Sequence, residues 1–556
     1  MSKEVKRVEG FGAWAIVRYR EYRDMARRYP GRVSVGYIAP VLTCKADPSG
    51  DPRELDVVNK FRISMSEGGR EDLLAVETHS LCTDDITNRL VTLIAPSLKA
   101  HQTSIDVGGA YFHGTPPSMD EGGRMVYAVV PSWLHEFGPY HESNPDGSRN
   151  LLRIIGNMPG RCDAGRIWQR HNDKFLTEYG FRQTITDRRL WVIKNPLGTL
   201  LLHDHVDDAR LSATTAAIRS HFYRAWAAAF NSPPEPLLLS ENFTGLRHQR
   251  ISEFTTEISC LGVIRSLKDL IAPYPMRRGT PHDVPLPADA LSRLREGPTA
   301  LNPLRPDLIP EAQRIAGTLG FITNHVRPDA HFGYCVLARY LTASRLTLRA
   351  FDLLIRVGNY VVGTKDLCLT LTAPSVSGGG LDLFDVHSDS SMGNMPDGLS
   401  QGGFVLLSKG QPGPNGSRIG GGAFAWKCEA PPEGDDSSGA AELRMITRAL
   451  KYTVAIRTTM RDLDLGIAPT QPTVIYTDAE AVVSGRGAER MAKSSRWLAT
   501  RYAMIRWAER CKTARLAQIA SRDNCADIMT KCLTGPDFFR HRARVLGLPA
   551  PPDACA

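Results

Sequence analysis

The chain has 556 residues, 42% of them hydrophobic and 23% charged, with a formal net charge of +9 and an isoelectric point near 9.0. That length exceeds what one hydrophobic core organises, so three or four domains are expected, and the composition excludes wholesale disorder. The basic balance suits a polyanionic partner, while eleven scattered cysteines with no CxxC pair argue against a disulfide framework or zinc module and for a reducing compartment.

Residues 1 to 55 are basic, proline-containing and weakly periodic, and their pattern carries no assignment. The opening stretch has no apolar core long enough for a signal peptide and no later segment approaches a membrane span, so a soluble, intracellular chain without a membrane partner is expected. From 56 to 240, short apolar runs alternate with Gly/Pro turns and helical stretches, the look of an α+β domain. Within it "QTSIDVGGAYFHG" reads as a short strand ending at Asp106, then a Gly-Gly turn and two aromatics. Further on, "LLHDHVDDARL" runs a leucine strand into Asp207 and Asp208. Adjacent carboxylates there repel and are costly to desolvate unless a cation or solvent lies between them. Asp84-Asp85 and Asp435-Asp436 sit in polar surroundings and read as solvated turns.

Residues 241 to 300 are Pro- and Leu-rich and resist assignment, whereas 302 to 366 carry apolar residues at helical spacing. "SVSGGG" at 375 to 380 has linker composition. Over 381 to 548 the pattern reads strand, strand, strand, long helix from about Ser438, strand, more helix and a last strand, a compact α/β domain. Asp389 ends its first strand, Glu442 flanks the apolar face of the helix, Asp478 ends "TVIYTD", and Asp527 sits in "NCADIMTK" where a helix would begin. Four acids at element ends are what binding two divalent cations roughly 3.5–4 Å apart requires. Between Arg486 and Arg515 nine Lys/Arg face two acids, with Trp497, Tyr502 and Trp507 interleaved; such a run is either a solvated helix face or a nucleic-acid surface.

The order of these signals resembles the polymerase and RNase H region of copia-type (pseudoviral) LTR retrotransposon polyproteins. "IDVGGAYFHG" resembles that family's "MDVKTAFLNG", "HVDD" its "YVDD" and "GRCDAGRIW" its "GLKQAPRQW". "VRPDAHFGYCVLARYL" is similar to "TRPDI…VLSR", and "GTKDLCLTL" to "GTKDLGLTF". "HSDSSMG", "GAFAWKC", "SSGAAELRMI", "VIYTDAEAVV" and "CADIMTKCL" are similar to "YSDADWAG", "GAISWKS", "SSTEAEYMAL", "VIYCDNQSAI" and "LADILTKPL". The likeness is collinear over roughly residues 56 to 548, which is more specific than any one motif.

The resemblance implies a right-hand polymerase fold of fingers and palm (56–240) and thumb or connection (241–375), followed by an α/β RNase H-like domain (381–548). It implies an RNA-directed DNA polymerase with a fused RNase H, acting on an RNA template, a DNA primer, dNTPs and RNA/DNA hybrids in a cytoplasmic particle or the nucleus. Asp106, Asp207 and Asp208 would be the polymerase catalytic and metal-binding acids; Asp389, Glu442, Asp478 and Asp527 would be those of the RNase H. Each set would take two Mg²⁺, with Mn²⁺ a substitute. Tyr111 would lie under the nucleotide sugar and exclude a 2′-hydroxyl, and Lys60 and Arg62 in "NKFRISM" would contact phosphates. The departures are specific. His205 replaces the hairpin tyrosine, and Arg210 follows it, where it would either pair with the aspartates or face solvent. Asp163 and Gly165 replace glutamine and proline, Ala440 replaces a glutamate, and "SSRWLATRYAM" lacks the usual histidines. Capsid, protease and integrase segments are not recognisable, so other polyprotein products are possible partners. These features leave two alternatives: a catalytically degenerate relic with at most nucleic-acid binding, and RNase H activity only.

Overall fold

The structure is a computed structural model; it describes residues 1–46, 57–67, 79–230, 240–276, 283–377, 380–381, 383–412, 418–431, 434–486 and 498–549. The N-terminal stretch is an integral part of the fold. Strands Trp14–Arg18 and Val33–Ala46 join Val57–Ser66, Met125–Val129 and Asn150–Ile154 in one five-stranded sheet. Its core is built from Val5 and Val8 of the first helix against Ile38, Ile63, Val126 and Leu152.

The second sheet is fully antiparallel, in the order His101–Asp106, Asp208–Ala213, Gly198–His205, Leu190–Asn195, Arg182–Gln183. Its leucine run follows from burial on both faces, because successive side chains of a strand point to opposite sides. Leu200 and Leu202 pack with Trp168, Phe222, Trp226 and Phe230 of helices Ala164–Tyr179 and Ala216–Phe230. Leu201 packs the other way, with Leu90, Val91 and Ile94 of helix Asp85–Ile94. The acidic pair Asp84-Asp85 is exposed to half-exposed but opens that helix rather than forming a turn. Asp84 caps it by accepting the Ile86 N–H at 3.1 Å, and Asp85 lies 3.0 Å from His325. Asp435 likewise pairs with Arg444 at 3.1 Å.

Residues 240–276 and 283–372 combine a four-stranded sheet with helices Leu261–Ile271, Ile309–His325, His331–Ala338 and Leu348–Gly363. Their "VRPD" motif is structural. Arg327 and Asp329 are both almost wholly buried, joined by two hydrogen bonds of 2.9 and 2.8 Å, with the Tyr360 hydroxyl also donating to Asp329. A buried guanidinium and carboxylate are tolerable only when paired in this way.

The last sheet has the order Ala423–Glu429, Gln401–Ser408, Phe384–Ser391, Thr473–Thr477, Ala514–Gln518. The first three strands are antiparallel and the last two add in parallel. Helix Ser438–Leu463 packs on it, its N-terminus capped by the Ser437 hydroxyl, which accepts the Ala440 N–H at 3.2 Å. Gly403 pairs with Asp389 in the sheet, and a Cβ there would overlap Met529; one at neighbouring Gly402 would overlap Met445. These two glycines therefore let the helix and the 525–529 turn close on the sheet beside Asp389. Asp527 lies inside a 3₁₀ turn, Cys525–Met529, and the next α-helix starts only at Gly535.

Candidate functional site

The C-terminal sheet gathers its acids at one place. Asp389, 2% exposed, projects from the central strand. Asp478 directly follows the neighbouring parallel strand, and Asp527 comes in on the 3₁₀ turn. One carboxylate oxygen of each lies within 4.8 Å of the other two. Glu442, one turn into the long helix, closes the group: its Oε1 accepts the Ser390 N–H at 3.1 Å and its Oε2 the Thr477 hydroxyl at 3.5 Å.

Burial, then the charge of Asp389, pushes Glu442 up to about 8. The same two causes push Asp527 up to about 7, and burial raises Asp389. The group therefore resists full ionisation until positive charge arrives. One such charge is built in. Lys531 Nζ lies 2.7 Å from Asp527 Oδ1 and 3.5 Å from Asp389 Oδ1, and the Thr530 hydroxyl donates to Asp389. Sequence reasoning missed both residues, although a lysine four positions after Asp527 lies one helical turn away. One ammonium against four carboxylates leaves a net negative, all-oxygen donor set, which fits a hard divalent cation such as Mg²⁺.

The upstream acids lie at the end of the second sheet. Antiparallel pairing sets Asp106 opposite Asp208, and the Val107 N–H donates to the Asp207 carbonyl at 2.9 Å. Among the described residues the three carboxylates do not form a set within 4.8 Å, as the C-terminal ones do. Val206 and Asp207 make the two-residue turn, with Val206 at a φ of 58°. That conformation is strained for a β-branched residue. The turn is held from behind: the indole N–H of buried Trp168 donates to the Val206 carbonyl. This gives the tryptophan of "GRIW" a positioning role that its motif alone does not reveal.

Tyr111 is half-buried in the short helix Ala110–His113. Burial and then Asp207 raise its pKa, while Arg62 lowers it, so its hydroxyl lies in the field of both. The Lys60 side chain lies outside the described residues. Arg210 does not face solvent: it is 2% exposed and hydrogen-bonds Asn88 at 3.2 Å and Thr92. Asp163 is paired with Arg161 at 2.9 and 3.0 Å. A second close set, Glu67, Cys162 and Asp163, is already filled by a cation, because Arg124 donates to Cys162 at 2.8 Å and to Glu67.

No protein-family model matches the chain. It is similar to the retrovirus-related Pol polyprotein from transposon RE2 of Arabidopsis thaliana, 23% identical over 504 residues, covering 90% of this chain and 31% of that protein. The corresponding polyprotein from transposon RE1 is 21% identical over 535 residues, covering 95% and 33%. A putative transposon Ty5-1 protein of Saccharomyces cerevisiae is 26% identical over 309 residues, covering 55% of this chain and 90% of that one. The chain thus spans about a third of the length of the two plant polyproteins. Among solved structures, a foamy viral protease-reverse transcriptase in complex with dsDNA aligns with a TM-score of 0.41 at 12% identity, over 86% of this chain and 76% of that one. An N-terminal RNase H domain from Mycobacterium tuberculosis, solved as a fusion with maltose-binding protein, aligns with a TM-score of 0.19 at 14% identity, over 26% and 89%.

Proposed function

We propose that this chain, a relative of copia-like retrotransposon Pol polyproteins, is an RNA-directed DNA polymerase with a fused RNase H. The observation that carries this reading is the convergence of Asp389, Asp478 and Asp527 within 4.8 Å of one another, with Glu442 held beside them by the Ser390 N–H and the Thr477 hydroxyl. Asp389, Asp478 and Asp527 would hold Mg²⁺, with Glu442 completing the set. When bound, the cations activate a water and stabilise the leaving oxygen of a phosphodiester. The chain's own part is to hold those carboxylates at a fixed separation, with Ser390 and Thr477 orienting Glu442. Lys531 offsets part of their repulsion.

In the palm, Asp106, Asp207 and Asp208 would bind Mg²⁺ and bring the primer 3′-hydroxyl to an incoming nucleotide. Tyr111 would close the sugar pocket and Arg62 would meet phosphate. Trp168 keeps the turn from relaxing.

One observation favours the narrower reading of a nuclease alone: among the described residues Asp389, Asp478 and Asp527 offer oxygens within 4.8 Å of one another, and the three upstream acids form no such set. Primer extension on an RNA template and cleavage of an RNA/DNA hybrid, measured on the same preparation with Mg²⁺ or Mn²⁺, separate the readings. The full reading expects extension lost in Asp207→Asn and cleavage lost in Asp478→Asn, each leaving the other activity in place. Cleavage without extension selects the nuclease. Neither activity from folded protein removes the enzyme.

A further inference from the structure

Helix Ser438–Leu463 carries Glu442 near one end, and at the other it borders a groove unrelated to the acids. Arg457 lies fifteen residues beyond Glu442, roughly 22 Å along the axis at 1.5 Å per residue. The groove encloses about 480 Å³ between this helix and the end of helix Ala499–Arg510, and is lined by Arg457, Arg461, Thr470, Trp507, Lys512 and Thr513.

Among the described residues, the acids nearest its cations are engaged elsewhere. Asp462 is engaged by Arg182 at 3.1 Å and by the Ile185 N–H at 2.7 Å. Asp464 is taken by Lys194 at 2.8 Å, and Glu509 by Arg486 at 3.6 Å and the Leu516 N–H at 3.2 Å. Arg457 is 4% exposed and spends its terminal nitrogens on the Gln471 and Pro469 carbonyls and Thr473, yet its Nε has no partner among the described residues. Burial and the adjacent Arg461 push Arg457 down to about 10, so an anion seated here would relieve that repulsion. Lys512 is presented from a left-handed backbone position, φ 53°. Beside these cations Trp507 leaves 48% of its surface in solvent, a large apolar ring with an uncovered face.

We propose that this groove binds single-stranded nucleic acid, seating a backbone phosphate on Arg461 and Lys512 and a base on Trp507. Cationic side chains tracking phosphate beside an aromatic stacking platform are the chemistry of single-strand recognition. A cavity of this volume admits about one nucleotide rather than a duplex, and a base can stack on Trp507 only when free of its own neighbours. The groove shares no lining residue with either proposed catalytic centre, and the proposal stands whether or not either is active.

The test uses the full chain in EDTA, where the acidic centre repels the strand, with a short fluorescent oligo-dT carrying 5-iodouridine. The expected photo-crosslink falls on the peptide containing Trp507. Arg461→Ala combined with Lys512→Ala should weaken binding about tenfold and lower the slope of log affinity against log salt by about 1.4, two contacts at ~0.7 each. Trp507→Ala should weaken it by roughly five- to tenfold, and Trp507→Phe should retain most of the affinity, as stacking on a ring requires. Unchanged affinity in these variants, or no crosslink at Trp507, overturns the proposal. So does equal competition by a duplex of the same length.

Discussion

Glu442 sets the pH behaviour of the C-terminal site. Its pKa is about 8 in the folded chain against an ordinary 4.5, so between those values the folded state binds more protons than the unfolded one. Stability therefore falls as pH rises through that window and levels off above it. Asp527, raised to about 7 from 3.8, acts in the same direction. The cation-free protein should melt at lower temperature at pH 8.5 than at pH 5.5, and Mg²⁺ should raise the midpoint more at pH 8.5. Melting curves in EDTA and in Mg²⁺ check this, and Glu442→Gln should flatten the cation-free pH dependence. At the other site the informative residue is Trp168. Trp168→Phe keeps the buried ring but removes the donor to the Val206 carbonyl, leaving a strained turn unsupported. Primer extension should fall roughly tenfold, on the scale of one lost buried hydrogen bond, while hybrid cleavage on the same preparation stays unchanged.

At the scale of elements, the Gly402-Gly403 strand decides how closely the 525–529 turn approaches the sheet. In Gly403→Ala the new methyl would meet Met529, so the turn must move and carry Asp527 with it. The expected result is a loss of about 1–3 kcal/mol, read by denaturant titration, together with loss of hybrid cleavage. The strand-helix-strand order of this unit was legible because its strands are short apolar runs and its helix keeps a one-sided stripe. The acids were legible because they sit at element ends. Lys531 and Trp168 were not, because a lysine after a helical turn and a tryptophan on an apolar face have ordinary surface and core readings. The N-terminal strands escaped because Val33–Ala46 pairs with segments more than eighty residues away as well as with its neighbour, and long-range pairing leaves little local pattern. Arg210 escaped for the same reason: its partners, Asn88 and Thr92, are more than a hundred positions upstream.

At the scale of the whole molecule one apolar core runs without a break from the second sheet through the helices between residues 261 and 363 into the C-terminal sheet, including Leu201, Leu319, Leu354, Phe404 and Ile446. Arg89 ties the three together. From helix Asp85–Ile94 it donates to the Phe424 carbonyl at 2.7 Å, lies 4.5 Å above the Trp426 ring, and reaches the Asn324 and His325 carbonyls at 3.3 Å. In the wild type these three parts should therefore unfold in one transition, and Arg89→Ala should split it into two by differential scanning calorimetry; a single unshifted transition in the variant would remove this coupling role. No helix among the described residues is long and apolar enough to cross a membrane.

Four carboxylates, distant in sequence, would seat divalent cations in the C-terminal unit. Calorimetric titration of Mn²⁺ into the full chain at pH 7.5, repeated in two buffers of different ionisation enthalpy, tests this most directly. Saturable binding is expected, with about one proton released per site as Glu442 ionises, reduced at least tenfold in both Asp389→Asn and Asp478→Asn. No binding by folded wild-type protein, or binding that both variants leave unchanged, would contradict it.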